Sequence, residues 1–294
     1  MQIPAIFCLL FVVGQHTCSN KPVININEEK KMTYVNGGSF IMGTDMNTID
    51  SLTKLYDFPK DFIQSEYPPH TVRIKSFYID KYEVTNADFK IFIDHSPEWQ
   101  KANIADTLHN GHYLEHWNGN NYPIGEGNYP VYNVCWYAAV AYCQWQKKRL
   151  PTEAEWEYVA SNRSKYKNYS WGDAKPDSSK CNYNNKFGKA IEVGKYPPND
   201  LGVYDLSGNV WEYTLDEWSA TYYEKSPENN PINGVKYFDK KTLFAVKKRR
   251  VIRGGSWGGS DVNLRIGFRD SHPVTGAGNH VGFRCVKDIA IDQK

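Results

Sequence analysis

Residues 253–285, RGGSWGGSDVNLRIGFRDSHPVTGAGNHVGFRC, crowd glycine pairs, arginines and polar residues together with few apolar runs. Gly254, Gly255, Gly258 and Gly259 allow positive φ and close backbone approach, while Arg253, Arg265, Arg269 and Arg284 supply planar guanidinium forks. The stretch reads as a site rather than a core. The alternative is a glycine-rich hairpin loop whose arginines pair with acids elsewhere in the chain.

The 294 residues, 40% hydrophobic and 15% aromatic, suffice for one large compact domain or two small ones. Nine Trp and 21 Tyr indicate an aromatic-rich, loop-rich globule. Lys and Arg total 35 against 33 Asp and Glu, and a formal charge of +2 argues against a nucleic-acid partner. The basic run Lys247, Lys248, Arg249, Arg250 reads as a solvated strand end.

Residues 3–14, IPAIFCLLFVVG, form an apolar run too short to span a bilayer, as in a signal-peptide core, although Lys and Arg are missing before it. The implied order is a signal peptide (1–17), a polar tether (18–31), a folded domain (32–288) and a tail (289–294). Cys18, followed by Ser19, Asn20 and Lys21, resembles the lipidated cysteine of a bacterial lipoprotein, with plain secretion as the alternative. The product is exported, lipid-anchored in the bacterial envelope or periplasmic, with no membrane contact except an anchor at Cys18. Export favours disulfides, and Cys135, Cys143, Cys181 and Cys285 remain for three pairings; their spacing fits neither a zinc site nor a CxxC pair.

Period-two alternation from Met32 through Gly37 and Gly38 predicts a strand and turn, followed by a polar loop to about Pro69. Residues 70–85 alternate Val72, Ile74, Phe77 and Ile79 with polar neighbours, a half-buried strand pair, and Thr85 or Asn86 then caps a short amphipathic helix carrying Phe89, Phe92 and Ile93. His109, His112 and His116 have helical spacing, but Gly111, Gly119 and several Asn make this a loop rather than a metal-binding helix. Residues 136–148 predict the clearest helix; Pro151 ends it and Thr152 with Glu155 forms a capping box for another. Asn162 and Asn168 lie in N-x-Ser sequons. Residues 196–218 show no helical or strand periodicity, and Asp205, Asn209, Glu212 and Asp216 offer the oxygens a hard cation needs, without EF-hand spacing. Short strands, two solid helices and much irregular chain indicate a single α+β domain.

Taken in order, GGSFIMG (37–43), EVTNADF (83–89), RLPTEAEWEYVA (149–160), YPPNDLGVYDLSGNVWEYT (196–214), RGGSW (253–257) and GFRC (282–285) resemble the formylglycine-generating enzyme, or sulfatase-modifying factor, family over residues 32–288. The resemblance implies a loop-rich α+β fold of C-type-lectin-like architecture. It implies structural calcium at Asp205, Gly208, Val210 and Glu212, and at Asn182, Tyr183, Asn185 and Phe187, where Asn185 replaces an aspartate and weakens the charge of the set. It also implies a Cys143–Cys285 disulfide; the second family bridge is missing, with Ala160 at one of its positions.

The family oxidises a sulfatase cysteine with oxygen, using copper(I) held by two thiolates just after RGGS. No cysteine stands between Arg253 and Arg284; Gly259 and approximately Leu264 occupy the thiolate positions. Trp211, Ser256 and Arg269 remain as pocket positions, with His280 where the family has Asn. The resemblance therefore implies a calcium-stabilised binding or envelope-assembly protein, like lipoproteins of gliding or type IX secretion, whose partner is an envelope protein or a glycan. The alternatives are a copper-independent oxidative enzyme, as in siderophore chromophore maturation, and, ranked last, sulfatase maturation. His272 and His280, near Asp270 and Arg269, form a small polar constellation, and the residues leave an iron requirement open.

Overall fold

A computed structural model of the chain describes residues 31–165 and 168–289. The segments read as signal peptide and, up to residue 30, as tether lie outside them, as do Cys18 with its lipidation and residues 290–294. The alternation from Met32 forms two strands, β1 (Met32–Val35) and β2 (Gly38–Met42). Gly37 between them is a steric requirement, since a Cβ there would lie 2.4 Å from the Ile74 carbonyl oxygen.

Residues 70–85 give β3 (His70–Ile74) and β4 (Phe77–Asp80), but the two do not pair with each other. β3 pairs antiparallel with β2, and β4 lies between β1 and β9 (Val286–Asp288). Both two-residue connections, at 36–37 and 75–76, carry the chain from one sheet to the next instead of folding it back. The polar loop expected before Pro69 is corrected to two helices, α1 (Met46–Tyr56) and α2 (Lys60–Ile63). Asp45 caps α1 by accepting the Thr48 amide at 3.0 Å, and Ile49, Leu52 and Ile63 are buried. This sparse apolar stripe, diluted by polar residues, is a weak periodic signal.

Thr85 caps α3 (Asn86–His95) through the Asp88 amide, and Phe89, Phe92 and Ile93 are buried as expected. The helix expected over 136–148 is α4 (Trp136–Trp145); it ends early because Lys147 adopts a left-handed φ of 56°. The Thr152–Glu155 capping box forms and starts α5 (Glu153–Ala160), all of whose residues are buried.

Residues 196–218, expected to be irregular throughout, contain β5 (Trp211–Glu217). It sits inside a four-stranded sheet, ordered β7 (Asp270–His272), β6 (Arg250–Arg253), β5, β8 (Val281–Gly282), with the β5–β8 pair parallel. All its residues except Glu217 are buried, so no alternation marks it in the sequence. One apolar cluster gathers Phe89, Phe92, Trp136, Tyr137 and Tyr213, a second gathers Val35, Phe40, Val72, Phe77, Trp156 and Val159, and a small third holds Tyr169, Cys181 and Leu264. The architecture is the single, loop-rich α+β domain expected. Among the described residues no helix is long and apolar enough to cross a membrane.

Candidate functional site

The arginine forks of residues 253–285 face acids in the interior, which corrects their reading as ligand-binding groups. Arg253 donates to Glu153 at 2.6 Å and Glu157 at 2.5 Å; Arg269 donates through Nε and Nη2 to Glu153 at 2.6 and 2.9 Å. Arg284 grips Glu212 at 2.7 and 2.6 Å, and Arg265 pairs with Glu66. All four are at most 5% exposed by side chain. A guanidinium so far from water is tolerated only where carboxylates meet it, and α5 supplies two of them from one helix. Arg269 also donates to the Ser65 carbonyl at 2.7 Å and lies over the Tyr223 ring at 4.0 Å.

The glycine-rich turn itself is built by backbone. Gly254 and Gly255 have φ of 96° and 74°, and a Cβ on Gly255 would lie 2.9 Å from the Asn263 carbonyl oxygen. At Gly259 and near Leu264, where the resemblance puts the family thiolates, the Gly259 amide closes a turn on the Ser256 carbonyl at 2.9 Å, and Leu264 is fully buried with Tyr169 and Cys181. Ser256 and Trp211 are 3% and 6% exposed. Trp211 and His280 are brought together by strand pairing, the Trp211 amide donating to the His280 carbonyl at 2.8 Å; the Arg269 guanidinium belongs instead to the Glu153 network. His272 and His280 rings lie 6.0 Å apart, and His272 Nε2 is buried without a hydrogen bond among the described residues.

The two loops assigned to calcium are in contact. The Asn209 amide donates to the Asn182 carbonyl at 2.9 Å, and the Asn182 side-chain amide donates to Asn209 Oδ1 at 3.3 Å. Asp205 and Asn185 both take φ of 57°, and a Cβ on Gly208 would lie 2.6 Å from the Asn182 carbonyl oxygen. The Asn185 amide donates to the Trp257 carbonyl at 2.7 Å, tying this loop to the RGGSW turn, while Tyr183 is half-buried with its hydroxyl on the Pro176 carbonyl and Phe187 is exposed.

Glu83, from the EVTNADF motif, joins these loops as a site residue that no local spacing marks: its carboxylate accepts from Asn209 Nδ2 at 2.8 Å and the Val210 amide at 3.2 Å. Burial, with Asp205 and Glu212 nearby, pushes the Glu83 carboxyl well above its ordinary value, and burial lifts Asp205 to about 6. Two buried carboxyls, Glu83 and Glu212, and the part-buried Asp205 thus gather near Arg284, and their crowding favours the protonated form of Glu83 unless a cation joins them. Asn182 Oδ1 is buried without a partner among the described residues, and the donor set is entirely oxygen, which fits a hard divalent cation. Glu212 is already engaged by Arg284 and by Trp156 Nε1 at 3.0 Å, so Asp205 and the loop carbonyls would carry most of that binding. Among the described residues no three His, Cys, Asp or Glu side chains converge as a metal-binding group.

The 109–116 segment is a loop, as expected. His112 bonds Glu115 at 3.0 Å, while His116 stacks on Tyr132 at 3.9 Å with both ring nitrogens buried and unbonded among the described residues. Burial drops the His116 pKa to about 4. An unfolded imidazole takes its proton near pH 6.5, so between pH 6.5 and 4 the unfolded state binds more protons and this residue's contribution is lost as pH falls. Asp205 and Asp216, raised by burial to about 6 and about 7, act in the opposite sense. The His116→Phe variant is therefore expected to lose about 2–3 kcal/mol less stability than the parent between pH 7 and pH 4, measured by denaturant unfolding. Equal losses in the two proteins would refute the assignment.

A formylglycine-generating enzyme of Streptomyces coelicolor is 30% identical to this chain over 298 aligned positions, covering 87% of the chain and 88% of the relative. The inactive C-alpha-formylglycine-generating enzyme 2 of Mus musculus is 29% identical over 304 positions, covering 88% and 86%. Among solved structures, PvdO from Pseudomonas aeruginosa superposes with a TM-score of 0.62 at 23% identity, covering 88% of this chain and 94% of its own, a likeness of fold. The family model of the sulfatase-modifying factor enzyme 1-like domain matches residues 19–289, and the chain belongs to that family.

Proposed function

We propose that the protein is a calcium-stabilised binding or envelope-assembly domain, exported and anchored through Cys18, that uses the family scaffold without copper oxidase chemistry. One observation carries this reading. The two thiolate positions hold Gly259, which has no side chain, and Leu264, whose side chain is buried against Tyr169 and Cys181. Copper(I) is selected by soft thiolates, and neither residue supplies a donor atom from its side chain. The inactive mammalian relative is a precedent for a member of this family named without activity.

The test is elemental analysis of the protein from Lys21 onward, purified without chelator and then titrated with copper(I). The expected result is stoichiometric calcium, a fall in thermal midpoint of several degrees on adding EGTA, and no tight copper(I) binding. Stoichiometric copper, or a midpoint indifferent to EGTA, would overturn the reading. A second reading, a copper-independent enzyme, is favoured by the unpartnered His272 Nε2 and its neighbour His280. Tight iron(II) binding abolished by joint replacement of those histidines with alanine would select it.

A further inference from the structure

The sheet β1–β4–β9 carries a row of exposed side chains. Tyr34 pairs with Tyr78 across β1 and β4, their rings 5.3 Å apart, and Tyr78 pairs with Lys287 across β4 and β9. The two rings are 46% and 39% exposed. Lys287 also lines one of two open depressions that share Tyr237, Asp288 and Ile289, and Tyr237 is 67% exposed. Six basic side chains line the two depressions against two acids, Glu155 and Asp288, so the face carries an excess of positive charge. Both acids are taken, since Arg149 donates to each, and Lys148 meets Asp80 at 2.9 Å. Lys75, Lys147 and Lys287 are exposed and meet no carboxylate among the described residues. Elsewhere on the surface Lys60, Lys90 and Lys195 each have a carboxylate within 3.0 Å.

Unpaired cations beside exposed tyrosines match an anionic bilayer surface, where lysine meets phosphate and a tyrosine ring sits at headgroup level with its hydroxyl in water. The place of this face in the chain points the same way. β1 is the first strand after the tether, and Cys18 stands 13 positions before Lys31. Fully extended, that length of chain reaches at most about 45 Å. A lipid at Cys18 would hold the side of the domain that the chain enters nearest the membrane. We propose that the face formed by Tyr34, Tyr78 and Tyr237 with Lys75, Lys147 and Lys287 docks on an anionic phospholipid surface. The assignment rests on the reading of Cys18 as the anchor and fixes which way the anchored domain faces.

The experiment is co-sedimentation of the protein from Lys21 onward, which keeps every described residue and lacks Cys18, with lipid vesicles. One set is phosphatidylcholine alone and the other is phosphatidylcholine and phosphatidylglycerol in equal parts. Binding to the mixed vesicles at low salt is expected, with release at high salt and no binding to phosphatidylcholine alone. Joint Lys147→Gln and Lys287→Gln is expected to weaken partitioning about 25-fold, roughly fivefold for each lysine. Lys54→Gln with Lys175→Gln removes the same charge from exposed positions outside the depressions and the sheet row. That control is expected to change partitioning by less than about twofold, because distant surface charges are screened. No binding to the mixed vesicles, equal losses in the two double variants, or binding to dextran sulfate without binding to vesicles would each overturn the proposal, the last in favour of an acidic polysaccharide. The anchor is read separately, as lipid mass on Cys18 of the full chain, so failure of the docking face is distinguishable from failure of the anchor.

Discussion

Replacement of Glu153 by alanine is expected to destabilise the fold by about 4 kcal/mol, the range found when one partner of a buried ion pair is removed. Glu153 Oε1 receives Arg253 Nη1 and Arg269 Nε, both at 2.6 Å, and the Tyr223 hydroxyl at 3.2 Å; Oε2 receives Arg269 Nη2 at 2.9 Å. Without it Arg253 retains Glu157, but Arg269 keeps only carbonyl oxygens and stays out of water. The two arginines and two glutamates balance in charge, and burial would otherwise favour neutral forms. Glu153→Gln preserves shape and one acceptor, so its loss should be smaller. The exposed pair Lys248–Glu217 is the control, where Lys248→Ala should cost less than about 1 kcal/mol. Denaturant unfolding measures all three, and a Glu153→Ala loss no larger than that of Lys248→Ala would show that the network does not hold the interior together.

Oxidation of Cys143 and Cys285 to a disulfide is expected to stabilise the domain by about 4 kcal/mol in the chain-entropy model, because the bond closes a long loop. The two sulfurs lie 2.8 Å apart, both fully buried, where α4 meets the segment leading into β9. Burial and the neighbouring thiol push the Cys285 thiol well above its ordinary value, so as a free thiol it is a poor nucleophile once folded. Protein from an oxidising compartment should be lighter by two hydrogens in intact mass, and thiol reductant added under denaturing conditions should lower the thermal midpoint on refolding by about 10 °C. Equal midpoints with and without reductant would show that the pair serves only as packed thiols. Among the described residues Cys135 and Cys181 are buried elsewhere and make no such contact, so the expected change belongs to the Cys143–Cys285 pair.

Most elements with a strong local signal were legible. The Thr152–Glu155 capping box, the Thr85 cap and the apolar face of α3 form where local chemistry puts them. α1 was missed because only Ile49 and Leu52 among its residues are buried, and β5 because almost every residue is. At the candidate site, the resemblance pointed to the 182–187 and 205–212 loops, and these do meet through Asn182 and Asn209. Glu83 lies over a hundred positions earlier in the chain than Asn209 and Val210, which it binds, and no spacing rule reaches that far.

The sequence by itself determined the family, the caps, the α+β class and the absence of cysteine between Arg253 and Arg284, since each depends on residue identity or on neighbours a few positions apart. Only the tertiary structure decided what the arginines of residues 253–285 do. In the chain they are cations beside glycines, as ready for a ligand as for an acid. In the fold, Arg253 and Arg269 meet Glu153, about a hundred residues away, and Arg284 meets Glu212. The physical reason is desolvation: a guanidinium enters the interior only where a distant carboxylate is already waiting, and that coincidence is a property of three-dimensional packing.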